Sequence, residues 1–333
     1  MRIPFVASLP TRKTDHLTIA ASPGVLHTVT TGLEDVRLRH RALPGRDLDQ
    51  VDLTTALLGA HLAAPLLVSA MTGGTDEAGV INRRLAEAAA EHGLAMALGS
   101  GRILLDDPSL LPTFRSGPRP PLLLANLGAA GLTVDAAEEL VELLRADGLT
   151  IHLNAIQEAV QPEGSPDFAD AGERIAAVAA ALAPLPVVVK EVGFGMDAED
   201  VRELDRSGVA AIDVAGAGGT NWATIEGRRD DHAGAVAAAF DGWGVPTADA
   251  LAQATAATVL PVIASGGVGD GVDAAKCLAL GAAAVGVARP LLTAALADRA
   301  DVAAEVLVEQ LRIAVWACGA PSADAMDRSR LAR

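Results

Sequence analysis

Residues 121–155 read PLLLANLGAAGLTVDAAEELVELLRADGLTIHLNA, and this stretch decides the fold. It begins with an apolar run, 121–127, continues through a helix predicted over Val134–Ala146, and ends in a second apolar run, 149–155. Thr133, just before the helix, is a residue type that caps helix N-termini. Continuous rather than alternating apolar strands are typical of a parallel sheet covered on both faces. The stretch is therefore predicted to be one strand–helix–strand unit of a parallel sheet.

The same unit recurs along the chain from residue 65 onward. Eight strands in one pass match a (β/α)₈ TIM barrel in number and in length, so the fold class is α/β. A doubly wound sheet would need G-x-G-x-x-G after its first strand, where this chain has AMTGGT. The other predicted strands are 65–70, 95–98, 187–192, 210–216, 261–267 and 283–289, and the other helices are 82–91, 168–182, 198–207, 247–257 and 272–280.

The barrel is predicted to be a single domain over residues 1–333. Residues 1–64 form an N-terminal extension, 65–290 carry the barrel strands, and 291–333 form the final helices and a tail. We expect the tail to fray after Arg328.

Composition limits the function. Half of the 333 residues are apolar and the formal net charge is −16, which argues against a binder of nucleic acid or of anionic membranes. The two cysteines, Cys277 and Cys318, have no CxxC spacing, so neither a disulfide framework nor a zinc site is indicated. Neither a signal peptide nor a membrane span is predicted, and we expect a soluble, cytoplasmic protein.

In a TIM barrel the chemistry lies at the carboxyl ends of the strands. Two glycine-rich turns, after the seventh and eighth strands, suit a phosphate held by backbone N–H groups and a helix N-terminus. Thr220, which follows Gly218-Gly219, can add a hydroxyl. The alternative is that these glycines only allow tight turns, which is less convincing when it recurs on consecutive strands.

Lys190 is the only cation inside a run of valines, and a buried lysine needs a negative partner. Glu191 is its neighbour, but adjacent strand residues point to opposite faces. Two interpretations of Lys190 therefore remain: it forms a structural ion pair with Glu191, or it faces the barrel mouth and a bound, reduced flavin. Together with Ser100, Asn126 and Met71-Thr72-Gly73, Lys190 predicts a flat, phosphate-bearing cofactor, for which FMN fits better than NAD.

The fourth strand ends in a group of polar residues. His152 and Asn154 are two apart and are predicted to share the face toward the barrel mouth. Glu158, beside the neutral Gln157, suits Mg²⁺, which prefers one or two carboxylates plus phosphate oxygens. A core histidine without catalytic function is the alternative for His152.

Some basic residues of this acidic chain occur at positions where they could bind an anionic ligand. Arg12, Lys13 and His16 cluster near the N-terminus, and Arg102 lies on a strand-end loop; these side chains suit a phosphate, although a solvated charge run is the alternative. The segment 228–232, RRDDH, is interpreted as a solvated loop.

These motifs follow one another in a recognisable order. RKTDH, AMTGGT, GSGR, ANLGA, HLNAIQEAVQPEG, VKEVGFG, DVAGAGGTNW, ASGGV and ARPLL together resemble type 2 isopentenyl diphosphate isomerase over essentially the whole chain. The HLNxxQE segment with RKxxH upstream is specific, whereas the SGG and GGT turns are common to flavin barrels.

The resemblance implies an isomerase that interconverts isopentenyl and dimethylallyl diphosphate with reduced FMN and Mg²⁺, NADPH acting as the reductant that primes the flavin. It also implies a homo-oligomer, a tetramer or octamer. The implied catalytic residues are Gln157, His152 and Asn154, and Glu158 is the metal ligand. The implied substrate-binding residues are Arg12, Lys13, His16, Ser100, Gly101, Arg102 and Gln157. The implied FMN-binding residues are Met71, Thr72, Gly73, Ser100, Asn126, Lys190, Ala215, Thr220, Gly266, Gly267, Val268, Ala288 and Arg289.

Four positions depart from common patterns of that family. Many relatives have Gln at Gly101, Ser at Ala215 and at Asn221, and Arg at Gly269. None of these changes removes a predicted acid, base or metal ligand, so they bear on flavin contacts more than on the reaction class.

Two rival functions stay open. FMN-dependent 2-hydroxy-acid oxidoreductases share the architecture but need a histidine base and an arginine at the end of the seventh strand, where this chain has IASGGVGDG. A related flavin isomerase that acts on another prenyl substrate is the closer rival. Trp222 is expected either to line the apolar part of the substrate or to pack at the barrel mouth.

Overall fold

The computed structural model describes the backbone of residues 9–332 and the side chains of residues 13–332. Within residues 9–332 the strands are β1 Thr55–Leu57, β2 Ala60–Leu62, β3 Leu66–Val68, β4 Ala95–Ala97, β5 Leu122–Gly128, β6 Gly148–Leu153, β7 Val187–Glu191, β8 Ala211–Asp213, β9 Val262–Ala264 and β10 Ala284–Val287. The α-helices are α1 Leu9–Ala21, α2 Asp76–Glu91, α3 Arg102–Asp106, α4 Leu111–Phe114, α5 Val134–Leu144, α6 Ala155–Val160, α7 Ala171–Leu182, α8 Ala198–Asp205, α9 Trp222–Gly227, α10 Asp231–Ala237, α11 Thr247–Ala257, α12 Gly271–Leu280, α13 Arg289–Leu296 and α14 Ala300–Ala317.

Strands β3 to β10 form a closed barrel in which every neighbouring pair is parallel. The order is β10-β3-β4-β5-β6-β7-β8-β9, so each strand lies beside the next along the chain and β10 closes on β3. The prediction of a (β/α)₈ barrel is confirmed. No helix in the described part of the chain is both long enough and apolar enough to cross a membrane.

Side-chain caps decide where several helices begin. Thr133 accepts a hydrogen bond from the amide of Ala136, and Asp197 accepts from those of Glu199 and Asp200, so α5 and α8 begin where the sequence predicts. Helix α2 begins at Asp76, six residues before the predicted start, because Thr75 caps it. The predicted strand 149–155 ends at Leu153, since α6 begins at Ala155.

The barrel interior is apolar in its lower part. Leu67, Leu124, Val188 and Ile263 pack there with Leu57, which lies on the β1–β2 hairpin. This hairpin from the N-terminal extension therefore closes the bottom of the barrel, and polar side chains are left for the opposite end.

Both ends of the chain pack onto the barrel. The extension places α1 over the barrel mouth, and Leu26 pairs with Thr220 in the loop after β8. The expectation that the tail frays after Arg328 was wrong. Leu331 pairs with Leu38, because the tail forms backbone hydrogen bonds with residues 37–39 of the extension.

Candidate active site

A cavity of about 570 Å³ opens at the carboxyl ends of the barrel strands. Its floor is the top polar layer of the barrel, its walls are the strand-end loops and α6, and its roof is α1. Most residues that sequence reasoning assigned to function meet here.

The floor is a level of polar side chains from adjacent strands. His152 on β6 is in register with Lys190 on β7, which is in register with Asp213 on β8. Ser265 donates a hydrogen bond to Asp213 (Oγ to Oδ1, 2.6 Å). Asp213 is 1% exposed and its pKa is raised by burial, which outweighs the opposing effect of Lys190.

Lys190 and Glu191 point to opposite faces, as expected. The Lys190 ammonium donates to the main-chain oxygen of Glu191. The Glu191 carboxylate turns away and accepts from the amides of residues 192–195. Its pKa is raised to about 7 by burial, against which those hydrogen bonds act. Glu191 therefore orders the turn after β7, and no ion pair between the two side chains is formed.

His152 is held as a neutral imidazole. Its Nδ1 lies 2.7 Å from Asn126 Oδ1. Burial, and after it the positive charges of Lys190, Lys13 and Arg102, together lower its pKa to about 3. It can therefore donate or accept hydrogen bonds to a ligand at neutral pH, but it carries no charge.

Asn154 and Gln157 form the side wall. Asn154 follows β6 and precedes α6, so it reaches the cavity from the helix start and not by strand alternation. Its Nδ2 donates to Gln157 Oε1 at 3.1 Å, and Gln157 Nε2 donates to Glu226 Oε1 at 2.7 Å. Asn154 Oδ1 is buried without a partner among the described residues and is available to a ligand.

Glu226 is a site residue that sequence reasoning missed. Its side chain is fully buried, and His16 Nε2 lies 2.8 Å from its Oε1. Burial alone would raise its pKa, but hydrogen bonds from His16, Gln157 and Arg229 outweigh it, so the pKa is lowered and the group is ionised. One signal could have found it, because Glu226 lies four residues after Trp222, hence on the same helix face. Trp222 lines the cavity, and its ring meets that of His16 edge to face at 5.4 Å.

The interpretation of 228–232 as a solvated loop was wrong for Arg229, whose side chain is largely buried, and for residues 231 and 232, which lie in α10. The Arg229 side chain is 5% exposed and reaches Glu226 (2.7 Å) and Glu163 (2.6 Å). Arg228 is exposed but donates to Ser22 Oγ at 2.8 Å. Helix α9 packs against α6 and α1, so this segment folds back under the N-terminal extension.

Glu158 lies on the cavity wall. Glu163 also lines the cavity, but both of its carboxylate oxygens accept hydrogen bonds from Arg229. Asn154 donates to its Oε1 (3.1 Å), and Gln161 Nε2 and the Ser165 amide donate to its Oε2, both at 2.8 Å. No group of three or more His, Cys, Asp or Glu suited to a metal occurs among the described residues. A single carboxylate fits Mg²⁺ only where phosphate and water supply the remaining ligands.

The glycine turns after β8 and β9 pack against each other. A Cβ added to Gly219 would lie 2.4 Å from the Gly267 nitrogen, and one on Gly266 would lie 2.1 Å from the Gly216 oxygen. Gly266 and Gly267 both have positive φ, 96° and 71°. The turns thus form a side-chain-free cradle of backbone groups beside the cavity, which fits a phosphate.

One hydroxyl adds to the fit of a polar ring. Ser69 Oγ lies just after β3 on the cavity lining and is buried without a partner among the described residues, as is Thr150 Oγ1, which lies within β6 and does not line the cavity. A bound ligand or water would satisfy such groups.

Cationic side chains lie at the roof and at the rim of the cavity. Lys13 Nζ donates to the Ser100 carbonyl at 2.8 Å, and Arg102 donates to the Gly131 carbonyl at 3.0 Å. Arg289 donates to the carbonyls of residues 20 and 22, so it fastens the end of α1. The side chain of Arg12 lies outside the described residues.

The structure brings most of the predicted site residues to one cavity. Gly73 and Gly101 are the exceptions among those described, because they do not line it. A Cβ on Gly73 would lie 2.1 Å from the Phe114 ring, and one on Gly101 would lie 2.5 Å from Leu140. Both glycines therefore pack against neighbouring side chains. The predicted residues that line it are Lys13, His16, Met71, Thr72, Ser100, Arg102, Asn126, His152, Asn154, Gln157, Glu158, Lys190, Ala215, Thr220, Gly266, Gly267, Val268, Ala288 and Arg289.

The sequence is similar to isopentenyl-diphosphate delta-isomerases of several organisms over nearly its whole length. Residues 153–333 match the family described as FMN-dependent dehydrogenase. The chain is 48% identical to an isopentenyl-diphosphate delta-isomerase of Stutzerimonas stutzeri, with 97% of each chain covered. It is 50% identical to one from Synechococcus sp., with 89% of this chain and 88% of the relative covered, and 41% identical to one from Methanothermobacter thermautotrophicus, with 96% and 91% covered.

Solved structures of other flavoproteins share the fold. A flavocytochrome b2 variant with benzoylformate aligns with a TM-score of 0.68 at 19% identity, with 97% of this chain and 82% of that chain covered. A mandelate oxidase variant with an FMN adduct aligns with a TM-score of 0.63 at 22% identity, with 96% and 91% covered. At these identities the similarity establishes the barrel alone.

Proposed function

The chain belongs to the isopentenyl-diphosphate delta-isomerases, within the FMN-dependent dehydrogenase family, and we propose that it interconverts isopentenyl and dimethylallyl diphosphate with reduced FMN. One observation of the site carries the proposal: neutral His152, Asn154 and Gln157 converge on one cavity with the buried anion Glu226 behind them. This wall suits a substrate whose reacting part is uncharged and passes through a cationic state.

The reaction moves a double bond by one carbon, so one carbon gains a proton and its neighbour loses one. Bound in its reduced form, FMN would supply a proton-exchanging group and an electron-rich ring that the side chains of the cavity lack. Lys190 supplies a positive charge at the floor that favours an anionic reduced ring. The cradle at Gly266 and Gly267, with the hydroxyl of Thr220, would hold its phosphate.

The wall residues would act on the prenyl part of the substrate. Gln157 presents an amide fixed between Asn154 and Glu226, so its orientation is set before substrate binds. Glu226, as an ionised group without access to water, stabilises positive charge that develops on the Gln157 side. Trp222 offers an apolar surface beside it.

The diphosphate would be held at the rim. Lys13 and Arg102 bring positive charge there, and Arg12 is proposed to join them. Glu158 would hold Mg²⁺ together with the diphosphate oxygens, because one carboxylate alone is a poor site for this ion. We further propose that NADPH reduces the flavin, and that the protein works in the cytoplasm as a homo-oligomer, a tetramer or octamer.

The test is product formation with each component omitted in turn. Isopentenyl diphosphate is incubated with the protein, FMN, NADPH and Mg²⁺, and ¹H NMR follows the methyl signals of dimethylallyl diphosphate. We expect product only when protein, FMN and reductant are all present, and little after chelation of Mg²⁺. Product that forms without FMN would overturn the flavin assignment.

The same preparation tests the rival oxidoreductase. The loop after β9 offers only Ser265, glycines, Val268 and Asp270, with neither histidine nor arginine to bind and deprotonate a 2-hydroxy acid. Lactate or mandelate is therefore expected to leave oxidised FMN unreduced. Bleaching of the flavin absorbance by either acid would favour the rival.

A further inference from the structure

Arg229 occupies an unusual position for a guanidinium. Its side chain is 5% exposed and lies between two carboxylates, although the residue is not part of the cavity lining. Nη1 donates to Glu226 Oε2 at 2.7 Å and to Glu163 Oε2 at 3.1 Å, and Nη2 donates to Glu163 Oε1 at 2.6 Å. Burying a guanidinium is costly unless it is paired, and here Nη1 and Nη2 are paired with carboxylates, whereas Nε is buried without a hydrogen-bond partner among the described residues.

The contact divides the two oxygens of Glu226. Arg229 takes Oε2, which leaves Oε1 to Gln157 (2.7 Å) and His16 (2.8 Å). The orientation of the Glu226 carboxylate, and with it that of the Gln157 amide, therefore depends on a group outside the cavity.

Arg229 also joins two elements of the wall. Glu163 lies in the segment that follows α6, the helix that carries Gln157, whereas Glu226 lies on α9. Because the fork of Arg229 pairs with both oxygens of Glu163 and also with Glu226, it connects the segment after α6 to α9. The remaining charged neighbours come from α1: His16 on Glu226, and Asp15, whose Oδ2 lies 3.8 Å from Arg229 Nε.

We propose that Arg229 is a positioning residue of the isomerisation, which acts through Glu226 to hold Gln157 in its reactive orientation. The inference rests on the proposed function. Arg229 contributes little to substrate affinity, because it does not line the cavity, and much to turnover, because a displacement of about 1 Å in a reacting group can cost roughly a hundredfold in rate.

The neighbouring arginine provides a matched control. Arg228 is exposed and donates to Ser22 and to the carbonyls of Pro23 and Gly24, so it also fastens the N-terminal extension but reaches no carboxylate. Four variants are compared as FMN-loaded proteins: Arg229→Gln, Arg229→Lys, Arg228→Gln and Arg228→Lys. For each, kcat and KM for isopentenyl diphosphate are measured together with flavin content and thermal midpoint.

We expect Arg229→Gln to lower kcat roughly a hundredfold and to leave KM within about threefold. Arg229→Lys should retain about a tenth of wild-type kcat, because a point charge reaches one carboxylate but cannot reproduce the fork. Added guanidinium should restore part of the kcat of Arg229→Gln and none of a variant at position 228. Both Arg228 variants should keep kcat within about twofold of wild type.

Three results would overturn the inference while the wild type remains active. The first is that the Arg228 and Arg229 variants change kcat equally, and the second is that Arg229→Gln changes only KM. The third is that the kcat of Arg229→Gln falls in proportion to its flavin content and is not restored by guanidinium. If Arg229→Gln does not fold, Arg229→Lys against Arg228→Lys decides by the same criteria. An inactive wild type would instead overturn the proposed function, so the two failures are distinguishable.

Discussion

Gln157 is held at both ends of its amide by residues of the same wall. Asn154 donates to its oxygen at 3.1 Å and its nitrogen donates to Glu226 at 2.7 Å. In this orientation of the amide both hydrogen bonds form. In the flipped orientation the amide oxygen of Gln157 would face the carboxylate oxygen of Glu226, and the two would repel. A side chain fixed in this way, 8% exposed at the edge of a cavity, is built for positioning and not for surface solvation.

Replacement of this side chain tests its role. Gln157→Ala should lower kcat by roughly a hundredfold, because Glu226 loses a hydrogen-bond donor and the wall loses its fixed amide. FMN should still bind, since the cradle at Gly266 is distant in sequence and on another strand end. Steady-state kinetics and flavin absorbance check both statements. Gln253→Ala, on an exposed position of α11, is the control, and turnover equal to that control would remove Gln157 from the mechanism.

His152 links the site to the pH dependence of stability. Its pKa is lowered to about 3 by burial and by nearby cations, whereas the unfolded chain has the ordinary value of 6.5. Between these values the unfolded chain binds more protons, so the contribution of His152 is complete above pH 6.5 and is lost as the pH falls toward 3.

The predicted consequence concerns the flavin-free protein. From pH 7 to pH 5 the wild type should lose roughly 1–2 kcal/mol more unfolding free energy than His152→Asn, which carries no titratable group; the cavity side of the ring admits some water, which reduces the effect. Urea denaturation at several pH values measures it. Parallel curves for the two proteins would contradict the assignment of His152 as the buried neutral imidazole.

Among the helices and strands, the features that could be predicted are those that depend on a few neighbouring residues in the sequence. The barrel strands are mainly apolar runs, several of which end in polar residues, and Thr133 and Asp197 cap their helices where expected. Glu226 and Arg229 escaped prediction because IEGRRDD has the composition of a solvated turn. Their burial results from the packing of α9 on α6 and α1, which no local pattern encodes.

The glycine cradle gives a prediction at this scale. Gly266→Ala places a methyl group 2.1 Å from a backbone oxygen at a φ of 96°, so the turn must move, at a cost of about 1–3 kcal/mol. We expect the Kd for FMN to rise at least about tenfold, because the phosphate would lose aligned amides. Flavin fluorescence quenching measures that affinity.

Gly269→Ala is the matched control in the same loop. Its Cβ would find only Asp273 Oδ2 at 3.5 Å, which is ordinary contact, and its φ is not in the left-handed region. An unchanged FMN affinity is expected. If both variants bound FMN as wild type does, the phosphate would have to lie elsewhere.

At the scale of the whole molecule, polarity is divided along the barrel axis. The β1–β2 hairpin and leucine-rich layers fill the lower end, and the ionisable groups gather at the upper end under α1. Within a chain of net charge −16, Lys13, Arg102, Lys190 and Arg289 concentrate positive charge around one cavity. Such an arrangement attracts an anionic ligand to one place on an otherwise repelling surface.

We infer that this cavity moves a double bond without net oxidation, although its fold is shared with oxidases. The most direct measurement is the number of dimethylallyl diphosphate molecules formed per reduced flavin, under anaerobic conditions, after NADPH has been removed. We expect many turnovers per flavin while the absorbance stays that of the reduced form. One product per flavin, with the oxidised spectrum returning as product appears, would contradict it.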